Sequence, residues 1–431
     1  MKRLYSAGLL AIALTLCATT SPASDAADRT LQTLRASAGF KTALATLDAE
    51  HDRIVADIIT LTEIPAPPFK EEVRARAYMA MLKAHGLSDV EMDAEGNVMG
   101  LRRGTGPAGA PLVVLAAHLD TVFPEGTNVT VRREGTKLHA PGVGDDTRAL
   151  AVLLGYLRAL EAGKIRTQRD ILFVGNVGEE GAGDLRGTRY LFAKGRYRDR
   201  IAAFFSMDGT GSNLVTHGAV GSLRYRVTFR GPGGHSYGAY GLVNPMAAMG
   251  ATVVEMNKLR PPANPKTTYV TSVVGGGTSV NAIPDSIWLE VDMRSESPAE
   301  LARIDGQFRQ IVQEAVPAEN TARSTRAGVI TADLKRIGER PAGATPRDAE
   351  IVRLTAAAIR AGGQTPLFTA GSTDSNLPIS LGIPAVTIGS GGSGGRAHAP
   401  DEWIDVARPA SVEGMGIGLS AVLAVAGYQG R

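Results

Sequence analysis

The sequence predicts an α/β fold, a mostly parallel sheet with helices on both faces, carrying a smaller α+β domain inserted within it. Three observations predict this. Four short runs, at residues 112–117, 170–177, 201–207 and 384–388, are continuously apolar, as strands buried on both faces are. Helical segments such as 149–162 lie between them, which suits parallel strands joined by crossovers. Between residues 218 and 337 the pattern changes to alternation in "GSLRYRVTFRG", "TTYVTSVVGG" and "SIWLEVDMRS", as half-exposed antiparallel strands require.

The chain has 431 residues, more than one domain usually holds. Met1-Lys2-Arg3, an apolar stretch from Leu4 to about Ala18 and the small-residue site Ser21-Pro22-Ala23 form the three regions of a secretory signal. The expected division is therefore a signal peptide at 1–23, the first part of the α/β domain at 24–217, the insertion at 218–337 and the rest of the α/β domain at 338–431. A periplasmic or secreted product follows, because the apolar stretch is short for a membrane span. Leu16 stands where lipoprotein signals usually carry a small residue, which argues against lipidation of Cys17.

Cys17 is the only cysteine and falls inside the leader, so the mature chain has no thiol, and any metal site must use His, Asp or Glu. The formal charge of +3 drops by two when Lys2 and Arg3 are removed. That balance gives no reason to expect nucleic acid as a partner. After a polar lead-in, helix-period positions predict helices over about 40–63 and 70–85, divided by the breaker "IPAPPF" at 64–69. Inside the insertion, helices are expected at 244–259 and 298–316, and the segment 349–361 resumes the first domain.

Function in an open α/β sheet collects at the carboxyl ends of its strands. The first run ends in "LAAHLDTV", where His118 and Asp120, two apart, would share a face: either a metal ligand with its orienter or a hydrogen-bonded pair at a strand end. Glu179 and Glu180 follow the second run, Asp208 the third, and a glycine-rich loop after the fourth leads to His398. Asp145-Asp146 opens the helix after the first strand. Carboxylates cannot crowd together at neutral pH unless cations neutralise them or some are protonated. Two histidines and three carboxylates would suit two tetrahedral ions sharing one bridging aspartate.

"AAHLDTV", "GVGDDT", "GEEG", "MDG" and "AHAPDEW", in this order and spacing, resemble the co-catalytic two-zinc exopeptidase family that includes peptidase T, bacterial glutamate carboxypeptidase, succinyl-diaminopimelate desuccinylase and aminoacylase. "FRGPGGHSYGAYGLVNP" resembles the start of that family's inserted dimerisation domain, in its peptidase T-like branch. The resemblance implies two Zn2+ ions, with Co2+ or Mn2+ as alternatives. His118, Asp145 and Asp208 would hold one, and Glu180, His398 and the same Asp145 the other. It further implies that Asp120 fixes the tautomer of His118 and that Glu179 is the general base for the attacking water. A cis peptide bond is expected at Asp145-Asp146. The sequence departs from the family at Thr147, where many relatives carry lysine, and at Arg148, where they carry a small residue.

Outside the ligand set, the resemblance makes His235 an oxyanion stabiliser reaching the active site, commonly that of a partner subunit, where the plain alternative is a histidine pairing with backbone in a glycine turn. Asn281 would bind substrate nearby, or simply form a turn. Arg294 would clamp a substrate carboxylate, or face solvent on a strand edge. Asp374, in "AGSTDSNLP", would lie beside the substrate and orient its neighbours rather than bind metal, or close an Asx turn. His51, His85, His139 and His217 fit no ligand position. The expected protein is a homodimeric zinc exopeptidase acting on short peptides. An amidohydrolase acting on N-acyl amino acids shares the same chemistry, and a metal-stabilised binding protein would keep the ligands without turnover.

Overall fold

The computed structural model describes residues 22–430. All but the last two residues of the expected leader lie outside the described residues. Four helices come first: α1 (Pro22–Ala36), α2 (Ala38–Ala49), α3 (His51–Thr62) and α4 (Glu72–Lys83). The single helix expected over 40–63 is thus two, broken at Glu50, and the polar lead-in is helical. That lead-in carries only a narrow apolar stripe, Ala27, Leu31 and Leu34, which is buried against helices near the carboxyl terminus. Ser37 caps α2 by accepting the Phe40 amide at 3.2 Å. Among the described residues, no helix is long and apolar enough to cross a membrane.

The strands β1 (Ser88–Met92), β2 (Val98–Arg102) and β3 (Leu112–His118) follow, then the short β4 (Lys137–His139) and helix α5 (Arg148–Ala162). Next come β5 (Asp170–Asn176), α6 (Arg186–Ala193), β6 (Ile201–Met207) and β7 (Leu214–Ala219). The large sheet runs β1-β2-β5-β3-β6, and its centre, β5-β3-β6, is parallel, as the continuous apolar runs require. Its outer pair, β1 and β2, is antiparallel and was not anticipated, since Ser88–Met92 is polar and only partly buried. Every residue of β3 and β5 is buried, and α5 is buried from Arg148 to Leu160, so it reads as apolar all round.

The insertion contains β8 (Gly221–Arg230), α7 (Pro245–Met256), β9 (Thr267–Gly276), β10 (Ser286–Ser295), α8 (Pro298–Ala322) and β11 (Thr331–Arg340). Its antiparallel sheet has the order β9-β10-β8-β11. In β10, Ile287, Leu289, Val291 and Met293 alternate inward, against Ile304, Phe308 and Val312 of α8. The sheet ends at Arg340, three residues beyond the expected boundary at 337. In "TADLKRIGER" only Ala332 and Leu334 alternate inward, partly buried on the insertion's core, because β11 is an edge strand with most side chains in solvent.

The chain then returns through α9 (Glu350–Ala361), β12 (Leu367–Gly371), α10 (Asn376–Ser380), β13 (Ala385–Ile388), β14 (Trp403–Asp405) and α11 (Arg408–Val425). Strand β13 adds parallel to β6, and β14 pairs with β4 in a small side sheet. The carboxyl ends of β3, β5, β6 and β13 consequently open on one rim.

Phe308 is wholly buried, with its ring 5.5 Å from that of Tyr225. Phe308→Ala is expected to lower stability by about 3–5 kcal/mol in urea unfolding, through lost burial and the cavity left behind. A loss under about 1 kcal/mol would show that this core is not packed as described.

Candidate metal centre

His118 is the last residue of β3, and its ring Nε2 lies 2.8 Å from Asp145 Oδ1. The other Asp145 oxygen, Oδ2, lies 3.1 Å from His398 Nε2, which also meets Glu180 Oε1 at 2.9 Å. One carboxylate therefore faces both imidazoles, each through its own oxygen. Ligand atoms of His118, Asp145 and Glu180 lie within 4.8 Å of one another, and so do those of His118, Asp146 and Asp208. Neither group is an expected triad: the first has His118 where His398 was expected, and the second has Asp146 beside His118 and Asp208 rather than Asp145. The peptide bond between the two aspartates is cis, as expected.

Asp146 is fully buried and accepts the His118 amide at 3.0 Å and the Gly209 amide at 3.4 Å, so it ties the ends of β3 and β6 together. The expected link between Asp120 and the His118 ring is corrected in its atoms. His118 Nδ1 sits 3.1 Å from the main-chain carbonyl of Asp120, while the carboxylate is at 3.6 Å, beyond a hydrogen bond. The strand stops at His118, so the chain turns and presents the carbonyl, not the side chain, to the ring. A donating Nδ1 leaves the Nε2 lone pair facing the cluster, so the tautomer is still fixed. The Asp120 carboxylate instead accepts the amides of Glu179 and Glu180, at 3.1 and 2.8 Å.

Glu179 is buried and paired with Arg340 of the insertion, Nη1 to Oε1 at 2.7 Å. Arg340 also donates to the Glu179 carbonyl and to Ser372. Burial pushes the Glu179 carboxyl well above its ordinary range, with Arg340 pulling the other way and Glu180 adding to the rise. Burial and the Asp145 charge raise the Asp208 carboxyl to about 7. A divalent cation among these groups would remove that repulsion, and two imidazoles with three or more carboxylates are a donor set suited to such ions.

A cavity of about 440 Å³ opens over the cluster, lined by Asp145, Glu179, Glu180, Asp208 and His398, and by Arg224, Arg294 and Arg340 from the insertion. Arg294 Nε donates to Asp292 Oδ2 at 2.7 Å, leaving its Nη groups without a hydrogen bond among the described residues. Asp374 does not line the cavity; this corrects the expectation of a substrate contact. It is buried, accepting from Asn176 Nδ2 at 2.6 Å and Thr188 Oγ1 at 2.5 Å, beneath the loop that bears Glu179. Its neighbours Ser372 and Thr373 face the cavity instead.

His235 and Asn281 are exposed, and within one chain neither lines the cavity. His235 Nδ1 accepts the Tyr237 and Gly238 amides at 3.3 Å, and Ser236 donates to the Asn281 carbonyl at 2.8 Å. The glycine turn is thus the setting of His235. Thr147 and Arg148, the two departures from the family pattern, are buried, Thr147 against Thr62 and Gly142 and Arg148 against Ser411. Arg224 and Arg340 were missed by sequence reasoning, since a lone arginine in a charged strand carries no signal. Asp146 was placed at the rim as half of the acid pair in "GDDT" but was given no role of its own.

A doubly covered, mostly parallel sheet with this cluster at its strand ends defines a metal-dependent hydrolase. The model for peptidase family M20/M25/M40 matches residues 114–423, and the chain belongs to that family, whose members hydrolyse amide bonds. Three solved structures share the fold. Aminopeptidase PepT from Bacillus cereus is 19% identical with a TM-score of 0.69, covering 87% of this chain and 99% of its own. A dinuclear metal binding M20 peptidase from Bacillus subtilis is 18% identical with a TM-score of 0.64, covering 88% and 98%. A hydantoinase/carbamoylase family amidase from Burkholderia ambifaria is 18% identical with a TM-score of 0.60, covering 89% and 98%. The family and the cluster together point to two metal ions.

Arg340→Met leaves the buried Glu179 carboxylate without its partner, and the expected cost is about 3–5 kcal/mol of stability. Thermal unfolding measured beside the parent protein checks this, and a melting curve unchanged within error would contradict the buried pair.

Proposed function

We propose that this chain is a zinc-dependent exopeptidase of short peptides in which Glu179 is the general base. The observation that carries the proposal is that Glu179 lines the same cavity as Asp145, Glu180, Asp208 and His398. In this reading His118, Asp145 and Asp208 hold one ion and Asp145, Glu180 and His398 the other, with zinc the choice that nitrogen and oxygen donors of this kind suit. When bound, the ions polarise the scissile carbonyl and make the attacking water more acidic. Glu179 takes the proton from that water and passes it to the leaving amine. Arg340 holds the Glu179 carboxylate in place, and Asp120 holds its main chain. Arg294, its Nε kept by Asp292, offers two remaining nitrogens to a substrate carboxylate.

Export and assembly belong to the same proposal. The leader-like start supports a periplasmic or secreted enzyme. Support for a homodimer comes from the insertion: β9 is an edge strand with Val270 and Val274 exposed, and Met246 and Val254 are exposed on α7. His235 and Asn281, outside the cavity of their own chain, would then serve the partner's. A second reading, an amidohydrolase of N-acyl amino acids, uses the same residues, and the fold shared with an amidase favours keeping it.

Three experiments test the proposal. Initial rates on di- and tripeptides beside N-acyl amino acids should be highest with peptides; turnover confined to the N-acyl compounds selects the second reading. Glu179→Gln should retain two metal equivalents while kcat falls at least about 100-fold. Full activity in that variant would remove Glu179 from its role. Chelation should abolish turnover of the parent enzyme and Zn2+ should restore it.

A further inference from the structure

We infer that Glu402 is the positioning residue that fixes Asp145 in its two-sided pose, so that one carboxylate governs the affinity of both ions. The inference rests on the proposed ligand set. Glu402 lies four residues beyond His398, at the entrance to β14, and is 2% exposed. Its carboxylate takes three main-chain amides from the loop carrying Asp145: Gly142 on Oε2 at 2.8 Å, and Gly144 and Asp145 itself on Oε1 at 2.8 and 2.9 Å. Its own carbonyl accepts the Ala140 amide at 3.1 Å. Residues 140–145 are thus stitched to the segment 398–402, which delivers His398.

The local sequence is shaped for this contact. A Cβ on Gly144 would stand 3.1 Å from Glu402 Oε1 and 2.9 Å from Ile404, so a side chain there would crowd this approach. Gly142 has φ +77°, in the left-handed region. Three amide donors converge on this one carboxylate, each favouring its charged form against the burial that raises it to about 7. With the amide of Asp145 pinned from behind, its two oxygens are left to face His118 and His398, one each. No glutamine can reproduce the arrangement, because its NH2 group would meet an amide donor on one side or the other.

Residues that orient metal ligands typically contribute 10–100-fold in metal affinity. The test uses the full chain and its Glu402→Gln and Glu402→Ala variants. Zn2+ affinity is measured by competition with a chelator, stoichiometry by elemental analysis, and melting temperature with and without Zn2+. Both variants are expected to bind Zn2+ at least about 10-fold more weakly, with a smaller Zn2+-induced rise in melting temperature, the glutamine variant keeping its fold. A lower melting temperature in chelator with unchanged Zn2+ affinity would assign Glu402 a merely structural part and overturn the inference. Parent protein that takes up no divalent ion would overturn the ligand set and the inference together. Tight binding unchanged in both variants overturns the inference alone.

Discussion

Buried carboxylates satisfied by main-chain amides are the constraint on which the rest of this site depends. Three acids beside the ligands take backbone donors from the loops that bear those ligands. Asp120 takes the amides of Glu179 and Glu180, Asp146 those of His118 and Gly209, and Glu402 those of Gly142, Gly144 and Asp145. Each amide favours the charged form of its acid against burial: His118 and the two amides hold the Asp120 carboxyl below its ordinary range, while burial keeps Asp146 well above it and Glu402 at about 7. The outer acids thereby hold four separate strand ends in one register. The inner acids are left facing one another, an arrangement that cations stabilise.

The insertion completes the cavity rather than merely roofing it. Arg224, Arg294 and Arg340 come from β8, β10 and β11, and all three line the cavity. Arg340 pairs with Glu179, Arg224 donates to the Gly181 carbonyl at 3.2 Å, and the Glu339 amide reaches Asp184 Oδ1 at 2.9 Å. The loop after β5 is consequently gripped from both domains. The acidic cluster and these cationic side chains give the cavity two chemically distinct walls. Asp292, shared by Arg224 and Arg294 through their Nε atoms, spaces the two guanidinium groups on that second wall.

Local pattern made much of this legible. Continuous apolar runs announced β3, β5, β6 and β13, because a strand buried on both faces has nowhere to place a polar side chain. Alternation, regular in β8 and β10 and looser in β9, announced those three strands for the opposite reason. The polar β1 and the exposed edge β11 escaped, since pairing through backbone leaves little trace in side-chain polarity. The break at Glu50 escaped because both flanking helices keep their apolar stripes.

By itself the sequence determined the chemistry available at the rim: two histidines and a set of acids that follow buried runs, with no cysteine among them. Only the tertiary structure decided which acid faces the imidazoles and which faces a backbone amide. Asp145 and Asp146 are adjacent and chemically alike, yet one lies between two imidazoles and the other clamps two strand ends. Asp374 was read as a substrate contact and is a buried brace, while Arg340 and Glu402 entered from 161 and 257 residues away. The physical reason is that a side chain's role at such a site is set by direction and by which donors meet it. Those depend on how distant loops pack, not on composition or spacing.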